Sequence, residues 1–230
     1  MATKQQIPVL AGAIVSKQEG FEALSNDDVQ WAIENTEAAI ALSVVAIKDR
    51  NKTPISSPIQ KRTLTPWKTI KVGGMSKKKL AESVKDESSD YAKGIMGKPA
   101  FSVAEKEEDV DLIDLTPRDL GFTANPRTDE FMTKEFCAEW SAKRLDGYVI
   151  ELCSPEDGPQ LRRQYQDQPN SEVVWMAMER ISDSDGDPLV FSVERSDDGH
   201  RWLCGRWSYP GRRWVLGIRI VFRLRKIAKP

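Results

Sequence analysis

The strongest constraint on the fold lies in residues 172–227, where VVWMAMERI, a polar turn, PLVFSVERSDDGHRWLCGRW and SYPGRRWVLGIRIVFRLRKI follow one another. Apolar and polar side chains alternate along these runs, as in a half-buried sheet whose successive side chains point to opposite faces. Asp183-Ser184-Asp185-Gly186-Asp187 and Asp197-Asp198-Gly199 interrupt them and favour hairpin turns, because Asp and Gly tolerate the backbone conformations of tight turns. Four of the seven tryptophans (Trp175, Trp202, Trp207 and Trp214) fall here. This end of the chain is therefore expected to carry a folded core.

The rest of the composition sets bounds. With 30% charged residues in 230 and a mean hydropathy of -0.49, apolar residues must be concentrated if a core is to form. A small domain with a long appendage fits this better than one large domain. The formal net charge is -1 and the pI is about 6.0, so no global electrostatic case exists for nucleic acid or an acidic membrane surface. Cys137, Cys153 and Cys204 are odd in number and widely spaced, which argues against a disulfide framework and for a reducing, cytoplasmic setting. The lone His200 and the unpaired cysteines argue against structural zinc. No apolar run reaches the roughly 18 residues a membrane span needs, and the short IPVLAGAIV at 7–15 lacks the flanks of a signal peptide.

Three regions follow from the punctuation. In residues 1–55, Ser25 and Asp28 form a capping box, and Val29, Ile33, Thr36, Ile40, Val44 and Ile47 recur at helical spacing, which predicts an amphipathic helix over 27–50. Such a helix either packs on its own protein or pairs with a partner helix. Residues 56–114 read as a charged, flexible linker: Pro58, Pro66 and Gly73-Gly74 punctuate against regular structure, a Lys run spans 77–79, and acidic residues fill 105–114. Residues 115–230 form the compact domain. Pro117 after Thr116 predicts a short turn ended by Gly121, and Thr128 or Thr133 caps a helix carrying Phe131, Phe136, Cys137, Trp140 and Leu145. A strand over 148–152 and a second short helix follow, with Leu161 and Tyr165 inward and Arg162 and Arg163 outward. The fold class is α+β, two helices and an antiparallel sheet.

Candidate chemistry is sparse. Asp183, Asp185, Asp187 and Glu194 match positions one, three, five and twelve of a calcium loop, but Pro188 stands where that loop needs Gly and the flanks read as strands, so a hairpin is preferred to a metal site. His200 has no Ser, Cys or carboxylate at a triad-defining spacing, and no phosphate-binding glycine loop occurs. No enzyme, metal or cofactor is predicted. The window 201–222 is more informative: it lacks Lys, Glu, Gln and Met but holds five Arg, three Trp, Tyr209, Ser208, Cys204 and three Gly. Arg, Trp and Tyr carry binding energy in recognition surfaces, although a twisted sheet with aromatic core and Arg exterior has the same composition. Apart from its tryptophans, every residue type in the window is encodable by a codon ending in a pyrimidine, and the four missing types are not. Randomised A-A-pyrimidine codons would leave that restriction.

The strings ELCSPEDGPQLR (151–162), DQP (167–169), AME (177–179) and VFRLRK (221–226) resemble a set of uncharacterised small bacterial proteins of reduced-genome lineages over roughly the second half of the chain. The layout also resembles the C-type-lectin-like variable proteins of diversity-generating retroelements, in which randomised residues precede a terminal strand of the form apolar-Gly-Phe-Arg-Leu; here it reads Val221-Phe222-Arg223-Leu224. That resemblance implies a ligand-binding domain without catalysis, with Cys204, Gly205, Arg206, Ser208, Tyr209, Arg212 and Arg213 facing the ligand. Trp207 completes the candidate set. The expected partner is a protein or small ligand. Two alternatives remain at this level: a nucleic-acid-binding β module using Arg and Trp, and a structural protein made oligomeric by its first helix.

Overall fold

From residue 64 to residue 227, the part of the chain that the computed structural model describes, the elements in order are Lys68–Val72 (β1), Lys77–Ser83 (α1), a 3-10 turn at Lys85–Glu87, Asp90–Gly97 (α2), Glu108–Leu115 (β2), Thr128–Phe131 (α3), Lys134–Arg144 (α4), Tyr148–Glu151 (β3), Asp157–Gln164 (α5), Val173–Met176 (β4), Ile181–Ser182 (β5), Pro188–Arg195 (β6), Arg201–Trp207 (β7) and Arg219–Lys226 (β8). The eight strands form one sheet, and its long axis runs β1-β2-β8-β4-β6-β7. The fold is mixed α+β, with five α-helices among the described residues. None of them is long and apolar enough to cross a membrane. The helix expected over 27–50 lies outside the described residues.

β8 is the hub. It pairs with β2 along one side, while β3 and β4 divide the other side between them. The β4–β8 pairing is parallel, against the expectation of a purely antiparallel sheet. The chain reaches β8 from β4 only after the β5–β6–β7 excursion, and so enters it in the same direction.

Helices cover both faces, which revises the half-buried sheet expected from alternation. Leu189, Val190, Phe191, Ser192 and Val193 in β6 are all 1% exposed or less. Phe191 meets Phe101 edge-on at 6.2 Å and Gly158 of α5 on one face. Ser192, pointing the other way, lies opposite Trp175, which meets Trp214 edge-on at 4.8 Å. α1, α2 and α5 belong to the first face; α3, α4 and the loop at 208–218 belong to the second.

The segment read as a linker is folded from β1 onward. Gly73 and Gly74, at φ of +75° and +66°, turn the chain from β1 into α1, and a Cβ on Gly73 would lie 2.0 Å from the Lys106 carbonyl oxygen. Ser76 and Ser89 cap α1 and α2 by accepting from Lys79 N and Ala92 N. The Lys run occupies the solvated side of α1, which leaves Leu80 as its buried residue, so its apolar periodicity was too weak to register. The acidic run is largely β2: Glu108, Asp109 and Asp111 point outward, while Val110, Leu112, Ile113 and Leu115 are buried. Elsewhere the turn chemistry acts as predicted. Thr133 caps α4, and Thr116 and Asp119 bond reciprocally in a turn closed by Gly121 at φ +100°.

The outer strands of the long axis, β1 and β7, each have backbone groups bonded from outside the sheet. The Gln164 amide pairs with Lys71, accepting from its N at 2.9 Å and donating to its O at 2.8 Å. On β7, Ser89 N donates to Leu203 O at 3.0 Å and Ser89 Oγ accepts from Gly205 N at 3.2 Å. Edge strands closed in this way offer no template for strand addition at those positions.

Burial also fixes the thiols. It pushes Cys137 up to about 12 and Cys204 up to about 11, and raises Cys153 well above its ordinary value. At pH 8 only roughly one Cys204 thiol in a thousand is then thiolate, the reactive form. Titration with an aromatic disulfide reagent at that pH should modify all three thiols quickly in denaturant, and slow by at least about a hundredfold in the native protein. Fast native labelling at one site would place that thiol outside the packing described.

Candidate functional site

β7 divides its side chains between two environments. Leu203 and Gly205 face α2, whose backbone comes so close that a Cβ on Gly205 would lie 2.8 Å from Tyr91 C and 2.9 Å from Ala92 N. Trp202, Cys204 and Arg206 face the other way. Arg206 grips the Glu194 carboxylate of β6 through two hydrogen bonds of 2.9 and 2.7 Å. Burial acts against the ionised Glu194, but hydrogen bonds from Arg206 and the Ser192 hydroxyl, with the Arg206 charge, outweigh it and hold its pKa below the ordinary carboxylate value. The Cys204 thiol sits half-buried beside this pair.

Past β7 the chain turns through Ser208, which is fully buried and donates its N–H to Pro188 O at 2.8 Å. This fixes the residues on either side of it outward: Trp207 is 48% and Tyr209 45% exposed. Trp207 meets Tyr91 of α2 edge-on at 5.7 Å, and Tyr91 is itself 48% exposed. The Tyr209 hydroxyl donates to Asp187 at 2.7 Å. Beside this group a cleft of about 480 Å³ opens between α2 and the β5–β6 turn, walled by Tyr91, Gly94, Lys98 and acidic side chains that include Asp90, Asp183 and Asp185.

The loop then folds back onto α3. Thr128 N donates to Arg212 O and Trp214 N to Pro126 O, both at 2.9 Å. The Trp214 indole, 1% exposed, plugs the space between Trp175 and Phe131 and donates Nε1–H to the Thr128 hydroxyl at 2.8 Å. The Arg212 guanidinium lies 4.5 Å from the Trp175 ring and 4.6 Å from the Trp214 ring, with Nη1 donating to Trp207 O. Arg213 is exposed and donates to Asn125 O at 3.0 Å.

The eight candidate residues thus separate. Arg206, Trp207, Tyr209 and Arg213 are exposed and Cys204 and Arg212 partly so, but strand alternation sets Cys204 and Arg206 on the face of β7 opposite Trp207, which meets Tyr91 of α2. Gly205 and Ser208 are corrected to framework positions: the first admits α2, the second anchors the turn, and neither is accessible. Arg219, the last arginine of the 201–222 window, is structural: it bridges Asp114 and Glu172 within the fold, and Tyr165 donates to the same Glu172 at 2.7 Å. Tyr91 was missed because it lies in the segment read as linker; its signal was Ser89, a capping residue two positions before it.

The acidic turn is a hairpin. Asp183 accepts from Asp185 N and Asp187 N, each at 2.9 Å, so its carboxylate serves its own loop, and no cluster among the described residues has metal-binding geometry. His200 pairs with Asp198 at 3.0 Å in the exposed β6–β7 turn, where the Ser196 hydroxyl donates to the same carboxylate at 2.5 Å and to His200 O at 3.1 Å, so Ser196 bonds the Asp198 carboxylate and the backbone of the turn. Compared with known protein families, curated proteins and solved structures, the chain matches none.

Proposed function

We propose that residues 64–227 form a non-catalytic binding module, with a recognition surface made by the end of β7, the loop after it and Tyr91 of α2. The observation that carries this reading is the exposure of Tyr91, Trp207 and Tyr209, with Arg206 and Arg213 also exposed at the end of β7 and in its loop, residue types that dominate binding energy. Buried Leu203, Gly205, Ser208 and Trp214 hold these side chains in place, so little ordering entropy remains to be lost on binding. A discrete ligand suits the surface better than a nucleic acid, because Asp187 and Glu194 stand among its cations and would repel a continuous polyanion.

The likeness to diversified lectin-like proteins belongs to the same proposal and gives it a test. If the surface is varied between relatives, substitutions should concentrate at Arg206, Trp207, Tyr209, Arg213 and the 59%-exposed Val215, while Gly205, Ser208, Trp214 and Ile220 stay fixed. Sequencing the gene from sister strains reads this directly. Substitutions spread evenly over residues 64–227, or sparing the window, would remove the diversified reading.

A further inference from the structure

Arg206 and Arg219 each have carboxylate partners, but no such partner stands beside Arg212. Among the described residues its guanidinium makes one hydrogen bond, from Nη1 to Trp207 O, and has no carboxylate in ion-pair range. It is half-buried, and the nearby Arg206 charge adds to the cost of keeping it cationic, so burial first and Arg206 second lower its proton affinity. What holds it is cation–π attraction: it lies against a pair of indoles set perpendicular to each other, 4.5 and 4.6 Å from their ring centroids. A guanidinium has five N–H donors, and the carbonyl uses one nitrogen's share of them. The remainder is a fixed fork of donors on a surface that also offers Trp207 and Tyr209.

From this geometry we infer that Arg212 is the anion-binding residue of the recognition surface, and that it takes a single carboxylate side chain of a partner protein. The inference rests on the binding-module reading and names its ligand class. Carboxylate is favoured by the planar fork, which meets two oxygens at once. An isolated carboxylate also avoids Asp187 and Glu194, where a strand of phosphates would meet both. Because the two indoles already restrict the guanidinium, little rotamer freedom is lost on binding.

The test uses the full chain with its arginine side chains labelled for NMR, titrated at low salt with benzoate and, as the neutral control, benzamide. The expected result is a saturable shift of the Arg212 Nε–H signal with benzoate and none with benzamide. Arg212→Lys, which keeps the charge but loses the fork, should weaken benzoate binding about tenfold, and Arg225→Lys, at an exposed position of β8 outside the recognition surface, should leave it unchanged. Absence of a saturable benzoate shift, or equal shifts with both compounds, overturns the inference, and the wild-type titration decides this even if the variant does not fold. Binding of an oligothymidylate that depends on Arg212, without any benzoate shift, overturns it in favour of phosphate. A negative titration alongside sister-strain substitutions confined to the exposed positions sinks the carboxylate assignment alone; evenly spread substitutions sink the diversified surface instead.

Discussion

Replacing Arg162 by alanine is expected to cost about 3–5 kcal/mol of stability, whereas Arg225→Ala, which breaks an exposed pair with Glu151, should cost no more than about 1 kcal/mol. Both arginines belong to ion pairs; burial separates them. The Arg162 side chain is fully buried, with Nε 3.2 Å from Glu87, Nη1 donating to Gln168 and to Glu194 O at 2.6 and 3.1 Å, and Nη2 donating to Tyr165 O at 2.6 Å. It joins α5, the turn after it, β6 and the 3-10 turn before α2. Removing it takes the Arg162 donor from two buried acceptors, Gln168 Oε1 and Tyr165 O, and from the part-buried Glu194 O, and a buried group left unpaired carries a desolvation penalty of about 1–3 kcal/mol. The Arg225 side chain is 57% exposed and its partner Glu151 41%, so water replaces what each loses. Urea unfolding followed by tryptophan fluorescence should show a large drop in midpoint for Arg162→Ala, with a melting temperature lower by on the order of 10 °C. An Arg162→Ala protein within about 1 kcal/mol of wild type would mean that this network contributes little net stability.

Arg162 also shows where the sequence stops being legible. Its position beside Arg163 on a short helix reads as a solvated pair, because the rule that places Arg outward holds unless a partner set is waiting inside. Here the partner set comes from Glu87, Gln168 and a β6 carbonyl, and no local pattern encodes that meeting. The parts that were legible depend on neighbouring residues: the hairpin at 183–187, the Thr133 cap, the turn closed by Gly121, and the strands of the C-terminal half. Those that were not depend on distant contacts. β1 and β2 carry charge on their outward positions, and α1 buries one leucine, so each looks like linker until the β8 hub is in place to cover it. The candidate surface was half legible for the same reason. Composition marked the Arg and Trp residues between 201 and 214, but only packing distinguishes Trp207, which is exposed, from Trp214, which is buried.

That distinction leads to the second large effect, at Trp214. Truncating it to alanine should cost about 3–5 kcal/mol, the range for deleting a large buried aromatic side chain. The loss combines the apolar area of an indole 1% exposed, its edge contacts with Trp175 and Phe131, and the hydrogen bond that leaves the Thr128 hydroxyl without its donor. Trp214→Phe keeps an aromatic ring but no N–H, and should recover all but about 1–2 kcal/mol. The two variants also separate stability from the site. Arg212 lies against the rings of both Trp175 and Trp214, so alanine removes one of its two ring contacts and loosens the guanidinium, while phenylalanine leaves a ring in its place. Benzoate affinity, measured at a temperature where both variants are fully folded, should therefore fall in Trp214→Ala and largely survive in Trp214→Phe. Equal affinity in wild type and Trp214→Ala would show that the indole supports the fold without preorganising Arg212.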